Sequence, residues 1–454
     1  MRSVELTRVG PVKWLVSSRW PQLVVTALLL GGLLLAIVAG LAGTPVGNRN
    51  FAIVGVWIAW WAALMLIAVP LFGRAWCGVC PVGAVGDWLQ RGAILEPSGS
   101  RFGLGLHWPR ALRNLWLQNG AFAALALVSV VILTHPRVTG WLLLALPVAA
   151  VVTSLVFERR TFCRYLCPVG GFIGLYSQLA PIELRVKDRR ICAGHRNKTC
   201  YTGSPAGAGC PWLVYPGALD RNSYCGLCME CVRTCPYDNV AVNRRWFGAD
   251  VAASRAVHLD EAFKAFLMLG SAIAYSAVLL GPWGGLKAAA HAVGSGAWFA
   301  YAAAFLAFAV GVVPGAFFVA AWISRAVGAP LLSVRQTFLR YTPVVVPLGL
   351  TAWIAFSLSF VFANFAYVWP VLSDPMGRGW NLIGTVDTAW SPYLATITPG
   401  LQVGVLLVGL AWATGAALRV AKTAVPDGAT IAQAIPIVAF CLLATVGLMG
   451  LLVG

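Results

Sequence analysis

Nine apolar runs set the limits on what this 454-residue chain can become. They cover roughly 21–42, 51–72, 115–134, 140–157, 263–283, 296–322, 342–367, 399–418 and 431–453. A helix needs about 20 apolar residues to cross the hydrocarbon core of a bilayer. Within that core the backbone can satisfy its own polar groups only as a helix or a closed barrel. These runs do not alternate, so they predict helices. Only 11% of the residues are charged and 59% are hydrophobic, whereas a soluble domain carries about 25% charge. The chain is therefore expected to be an α-helical integral membrane protein of about nine spans, with lipid as its solvent. The third and fourth runs are short and flank His135-Pro136-Arg137. The first follows Arg2, Arg8, Lys13 and Arg19, and its apolar core is longer than that of a signal peptide, so it reads as an uncleaved span.

The net charge of +18 would suggest nucleic acid on a soluble protein. Here its distribution excludes that reading. Of the 33 Lys and Arg residues, 29 fall in alternate connecting segments, and the other set holds only Arg49, Arg137, Lys287 and Arg378. Cytoplasmic loops collect Lys and Arg, so the bias predicts an inner-membrane protein with a cytoplasmic N-terminus and, after nine spans, a C-terminus outside. The expected organisation is a four-span unit over 1–157, a cytoplasmic insert over 158–262 and a five-span unit over 263–454.

Eleven of the twelve cysteines lie between Cys77 and Cys235, all on the side predicted to be cytoplasmic. Thiols there stay reduced, and metal binding outranks disulfides. The strongest motif is Cys225-Gly-Leu-Cys228-Met-Glu-Cys231-Val-Arg-Thr-Cys235-Pro236, the spacing of a bacterial ferredoxin: three thiolates wrap one cubane and the fourth reaches a second cluster. A structural zinc site needs two Cys-x2-Cys pairs and no terminal Cys-Pro. An altered partner run lies upstream as Cys192, Cys200 and Cys210-Pro211. The expected assignment gives Cys210, Cys225, Cys228 and Cys231 to one [4Fe-4S] cluster. Cys192, Cys200 and Cys235 fall to a second that lacks a ligand. The missing ligand is open between a cysteine of the membrane-side motifs, His195 and a three-iron cluster. Two more pairs follow the inner ends of spans, Cys77-Gly-Val-Cys80-Pro81-Val-Gly83 and Cys163-Arg-Tyr-Leu-Cys167-Pro168-Val-Gly170. Being at one depth, they can face one another and hold a third cubane, or another redox or metal site.

Residues 50–245 resemble the membrane polyferredoxins of the NapH, NosR and CcoG group, which join Cys-x3-Cys-Pro elements at span ends to ferredoxin-type runs. The resemblance carries over to Cys163, Cys167, Cys225, Cys228, Cys231 and Cys235. Cys77 and Cys80 depart from it in spacing, and the five C-terminal spans lie outside it. It implies a bacterial-ferredoxin-like α+β insert and electron transfer between the quinone pool, or a cytoplasmic donor, and a partner oxidoreductase. It also implies an alternative, a redox maturation factor that reduces a metal for a partner metalloenzyme. A quinone site is expected near the inner face, beside the span-end cysteines, where Asp87, Trp88 and Glu158 are close in sequence. The outer segment Trp369 to Pro399, with its many aromatics, reads as an interfacial belt. No haem is expected, because paired histidines are missing from the C-terminal spans. With no substrate-binding signature, the chain reads as an electron-transfer subunit and not a complete enzyme.

Overall fold

The computed structural model describes residues 3–95, 102–253, 256–328, 332–424 and 430–453. Among them, eight helices are long and apolar enough to cross a membrane. In chain order these are α1 (Trp20–Ala42), α2 (Phe51–Phe72), α3 (Pro136–Val156), α4 (Leu259–Leu280), α5 (Gly296–Val327), α6 (Val334–Ser373), α7 (Thr398–Thr423) and α8 (Ile431–Leu452). The protein is thus a multi-pass membrane protein. The apolar run at 115–134 differs from expectation. It forms two shorter helices, Trp116–Leu127 and Ser129–Ile132, separated at Val128 by a backbone with ψ near 7°. The physical reason is the load on one carbonyl. The Ala126 carbonyl receives the hydroxyls of Ser129 (2.8 Å) and Tyr275 (3.1 Å). Side-chain donors of this kind compete with the backbone ladder and bend or break helices.

Two compact units interleave along the chain. One comprises Met1–Ile37, Ile67–Gln118 and Trp141–Asp250; the other comprises Val38–Leu66, Asn119–Gly140 and Val251–Gly454. The first α1, α2 and α3 each belong partly to both, because a continuous helix passes from one to the next.

The first unit holds all eleven clustered cysteines. Its only regular sheet among the described residues has three antiparallel strands, β1 (Val4–Glu5), β2 (Ile182–Val186) and β3 (Val240–Arg244), with β3 central. Ile182 pairs with Arg244 and Val186 with Val240. The strand residues Leu184 and Val240 pack with Cys200, Leu219, Leu227 and Cys231 in one buried cluster. The cysteine loops therefore form the core itself, as expected where cofactor ligation replaces a large hydrophobic interior.

The second unit is a helical bundle in which small residues let backbones approach. A Cβ at Gly40 would lie 2.8 Å from the Gly140 backbone, and one at Gly270 would lie 2.7 Å from Ala309. Its connecting segments sort into two ends. At one end Thr44 N donates to Met376 O, the Arg378 guanidinium to Ala42 O, and the His135 and His291 rings are 6.5 Å apart. At the other end Asn119 Nδ2 donates to Asp260 O, Arg340 to Thr423 O and Ser324 to Gln433 O.

Candidate functional site

Each Cys-Pro element is a helix start. Cys80 caps the helix Pro81–Arg91, and Cys167 caps the helix Pro168–Tyr176. Proline suits the first helical position because its missing N–H would have no partner there. The cap residue takes an extended backbone, with ψ of 122° at Cys80 and 115° at Cys167. Its sulfur then faces the free N–H groups of the first turn, where negative charge is favoured. Gly170 N donates to Cys167 Sγ at 3.2 Å. The glycines of both elements are forced by close approach: a Cβ at Gly83 would sit 2.9 Å from Cys163 Sγ, and one at Gly170 would sit 3.0 Å from Cys163 O.

The structure brings Cys77, Cys80, Cys163 and Cys167 into one group, each thiol within electrostatic reach of the others. Burial pushes Cys80 up to about 11 and Cys167 up to about 12, and holds Cys163 well above its ordinary value. The Arg160 guanidinium pulls Cys163 down and Arg74 pulls Cys167 down, but not enough to offset burial. Such thiols are costly as free thiolates and become favourable when a cationic cluster takes the charge. Arg160 is anchored beside them. Its Nη1 donates to Cys77 O at 2.5 Å and its Nε to the Asp87 carboxylate, both partners being almost fully buried.

The second group is Cys210, Cys225, Cys228 and Cys231. Cys210 raises the pKa of each of the other three, and burial is the larger cause in each case. The loop turns twice through the left-handed region, at Leu227 (φ 47°) and Met229 (φ 63°), before the helix Glu230–Thr234. Gly226 is required by Trp212, since a Cβ there would lie 2.0 Å from the indole Nε1. Trp212 is 1% exposed, has Arg74 stacked over its ring at 4.2 Å, and presents an Nε1 with no hydrogen-bond partner. Sequence reasoning missed Trp212. Its position two residues after Cys210 was the available signal. Glu230 beneath this loop is paired with Arg19 (3.2 Å) and Arg233 (2.9 Å). Burial pushes its carboxyl up, but Arg91, Arg19 and Arg233 outweigh that and hold it below the ordinary range.

The third group contains Cys192, Cys200 and Cys235. Asn239 joins two of them, its Nδ2 donating to Cys192 Sγ at 3.3 Å and its backbone N to Cys235 Sγ at 3.4 Å. Thr199 Oγ1 donates to Thr234 O at 2.8 Å, which ties the residues preceding Cys200 and Cys235 together. All eleven predicted cysteines therefore fall into groups of four, four and three. Among the described residues, no three His, Cys, Asp or Glu side chains are close enough to grip one metal ion. A cubane spreads its thiolates over its corners and needs wider spacing. The donor sets, the helix-start sulfurs and the orphaned indole N–H fit such clusters.

Two cavities open in the same unit. One of about 50 Å³ is lined by Asp87, Trp88, Arg91, Arg160, Cys228 and Glu230. The other, about 410 Å³, is lined by Asp87, Arg91, Phe102, His107, Glu158 and Arg159 among others. His107 Nδ1 lies 2.9 Å from the Glu158 carboxylate. Asp87, Trp88 and Glu158, singled out in the sequence for a quinone, thus line cavities beside the thiols. Asp374 is a loop tether, its carboxylate accepting from Arg378 N at 3.0 Å and Gly379 N at 2.6 Å.

The sequence profile of a 4Fe-4S binding domain matches this chain twice, at residues 53–104 and 139–191. Each match takes in most of a span and the Cys-Pro element after it, so the two elements belong to one repeated domain. The chain is 32% identical over 92 residues to the putative electron transport protein YccM of Escherichia coli, covering 20% of this chain and 23% of that one. It is similar to the methylamine utilization ferredoxin-type protein MauN of Methylorubrum extorquens (28% over 151 residues; 29% and 48%). The MauN of Paracoccus denitrificans gives 26% over 179 residues (35% and 56%). The chain therefore spans less than two thirds of the length of each of these relatives. No solved structure matches it.

Proposed function

We propose that this membrane polyferredoxin-like 4Fe-4S protein relays electrons through three cysteine-held clusters, between the quinone pool or a cytoplasmic donor and a partner oxidoreductase. The observation that carries the reading is the gathering of eleven thiols into three groups within one compact unit. One structural cluster would need four thiols; three adjoining groups make a path. The clusters supply one-electron chemistry. The chain's own residues bury them, place N–H groups on the span-end sulfurs and seat Arg160 and Arg74 beside them. A quinol gives up two protons as well as two electrons, and the Glu158–His107 pair at the larger cavity offers a proton-accepting site.

The test is iron and acid-labile sulfide per chain on anaerobically purified protein, with low-temperature EPR after dithionite reduction. Three cubanes give about twelve irons. Little iron with zinc in its place would sink the electron-transfer reading.

An inner-membrane topology with the clusters cytoplasmic follows from the charge bias and from chain continuity. The starts of α2 and α3 lie together, since a Cβ at Gly47 would be 2.9 Å from Thr134 O. Their far ends deliver Cys77 and Cys163 to one thiol group. We read the segment between, Trp116–Leu127 with Ser129–Ile132, as a broken ninth crossing. The C-terminus falls outside. Reporter fusions at His135 and at the C-terminus are expected to read periplasmic. A cytoplasmic reading at either would overturn this topology.

A further inference from the structure

Three groups of thiols leave one vacancy in ligand number, because Cys192, Cys200 and Cys235 offer three sulfurs to a cluster with four corners. The cysteines elsewhere are committed. Cys77, Cys80, Cys163 and Cys167 form their own group, as do Cys210, Cys225, Cys228 and Cys231, and Cys441 is buried in α8. The nearby oxygen donors are also engaged. Asp238 is paired with Lys13 (3.1 Å) and Lys187 (3.2 Å). Asp188 Oδ1 accepts from Arg190 N at 2.7 Å. Tyr215 OH donates to Cys192 O at 2.6 Å.

One strong donor remains. His195 follows Cys192 by three residues, at the end of the short helix Arg189–Gly194 that carries this cysteine. Its ring stacks on Tyr237, two residues past Cys235, with centroids 5.1 Å apart and planes within 19°. The imidazole is thus held between the loops that supply two of the three sulfurs. Its Nδ1 is buried and has no hydrogen-bond partner. A buried polar atom without a partner is unfavourable, and an imidazole nitrogen with a free lone pair is a good iron ligand. Asn239 donates to both Cys192 Sγ and Cys235 Sγ, which ties those two sulfurs together.

We propose that His195 is the fourth ligand of the cluster held by Cys192, Cys200 and Cys235, binding iron through Nδ1. The inference rests on the electron-transfer reading above. A neutral imidazole in place of a thiolate leaves the cluster less negative, and exchange of Cys for His raises iron–sulfur potentials. This cluster would then be the first of the three to be reduced.

The experiment uses the full-length chain, purified anaerobically, as wild type, His195→Ala and His195→Cys, with and without ¹⁵N-histidine. In the wild type, pulsed EPR of the reduced protein is expected to show a nitrogen hyperfine coupling that changes with the isotope. His195→Ala is expected to lose that coupling and one iron per chain, and on oxidation to give the signal of a three-iron cluster. His195→Cys is expected to restore the iron without the nitrogen coupling and to shift this cluster's midpoint potential downward. Retention of wild-type iron by His195→Ala, or absence of any nitrogen coupling in the wild type, overturns the assignment while leaving the relay intact. A wild-type chain without iron overturns the relay itself, and this inference with it.

Discussion

Cys163→Ala is expected to lower the iron of the purified chain by about a third, from about twelve atoms to about eight. The ferredoxin-type clusters should keep their EPR signals. Cys163 supplies one of four thiols at the span ends, and its sulfur lies 2.9 Å from where a Cβ at Gly83 of the other Cys-Pro element would sit. Removing it leaves Cys77, Cys80 and Cys167 with a cluster corner open at a site bounded by the buried Arg160. A cluster so exposed loses iron more readily than one fully ligated. The helices Pro81–Arg91 and Pro168–Tyr176 keep their caps, because Cys80 and Cys167 provide them. The loss should therefore be confined to one cluster. The measurement is iron and labile sulfide beside quantitative EPR of the remaining spins. Twelve irons retained would mean that the span-end thiols bind no cluster. A fall to zero would mean that the three groups assemble only together.

Much of this was legible in the sequence for physical reasons that act over short stretches. A run of 20 apolar residues admits few conformations in lipid, so most spans could be read directly. The exception shows the limit: nothing in the composition of 115–134 marks Val128 as a break, because the break depends on the Tyr275 hydroxyl of a distant helix. The Cys-Pro elements were legible because proline and the preceding thiol define a helix start within four residues. The division of thiols into groups was legible as well, from the crossing ligand before Pro211. What sequence could not supply was long-range packing. Nothing in the motif spacing points to what forces Gly226 in the fold, the indole of Trp212. Asp87 reads as a residue close to a quinone site, yet it is a partner of Arg160, 73 residues away.

The Asp87–Arg160 pair carries the second large effect. Both side chains are about 5% exposed, and the pair also holds the carbonyl of Cys77 through Arg160 Nη1. Arg160→Met would leave the buried carboxylate with Arg91 alone, at 3.8 Å. Breaking a buried pair from one side costs about 3–5 kcal/mol, whereas replacing both partners with apolar side chains of similar volume is often neutral. Arg160→Met and Asp87→Leu should therefore each lower the thermal midpoint of the detergent-solubilised chain sharply, and the double variant should recover most of the loss. Stability and cluster retention then separate. Arg160 also draws the Cys163 thiol toward its charged form, and the double variant keeps only Arg74, beside Cys167, at this site. It should fold, yet assemble the span-end cluster poorly and show about four irons fewer than the wild type. A double variant as unstable as Arg160→Met would show that the arginine acts through its bond to Cys77 O and not through the ion pair. A double variant with full iron would show that the guanidinium supports the fold alone, and that the helix-start N–H groups suffice to hold the sulfurs charged.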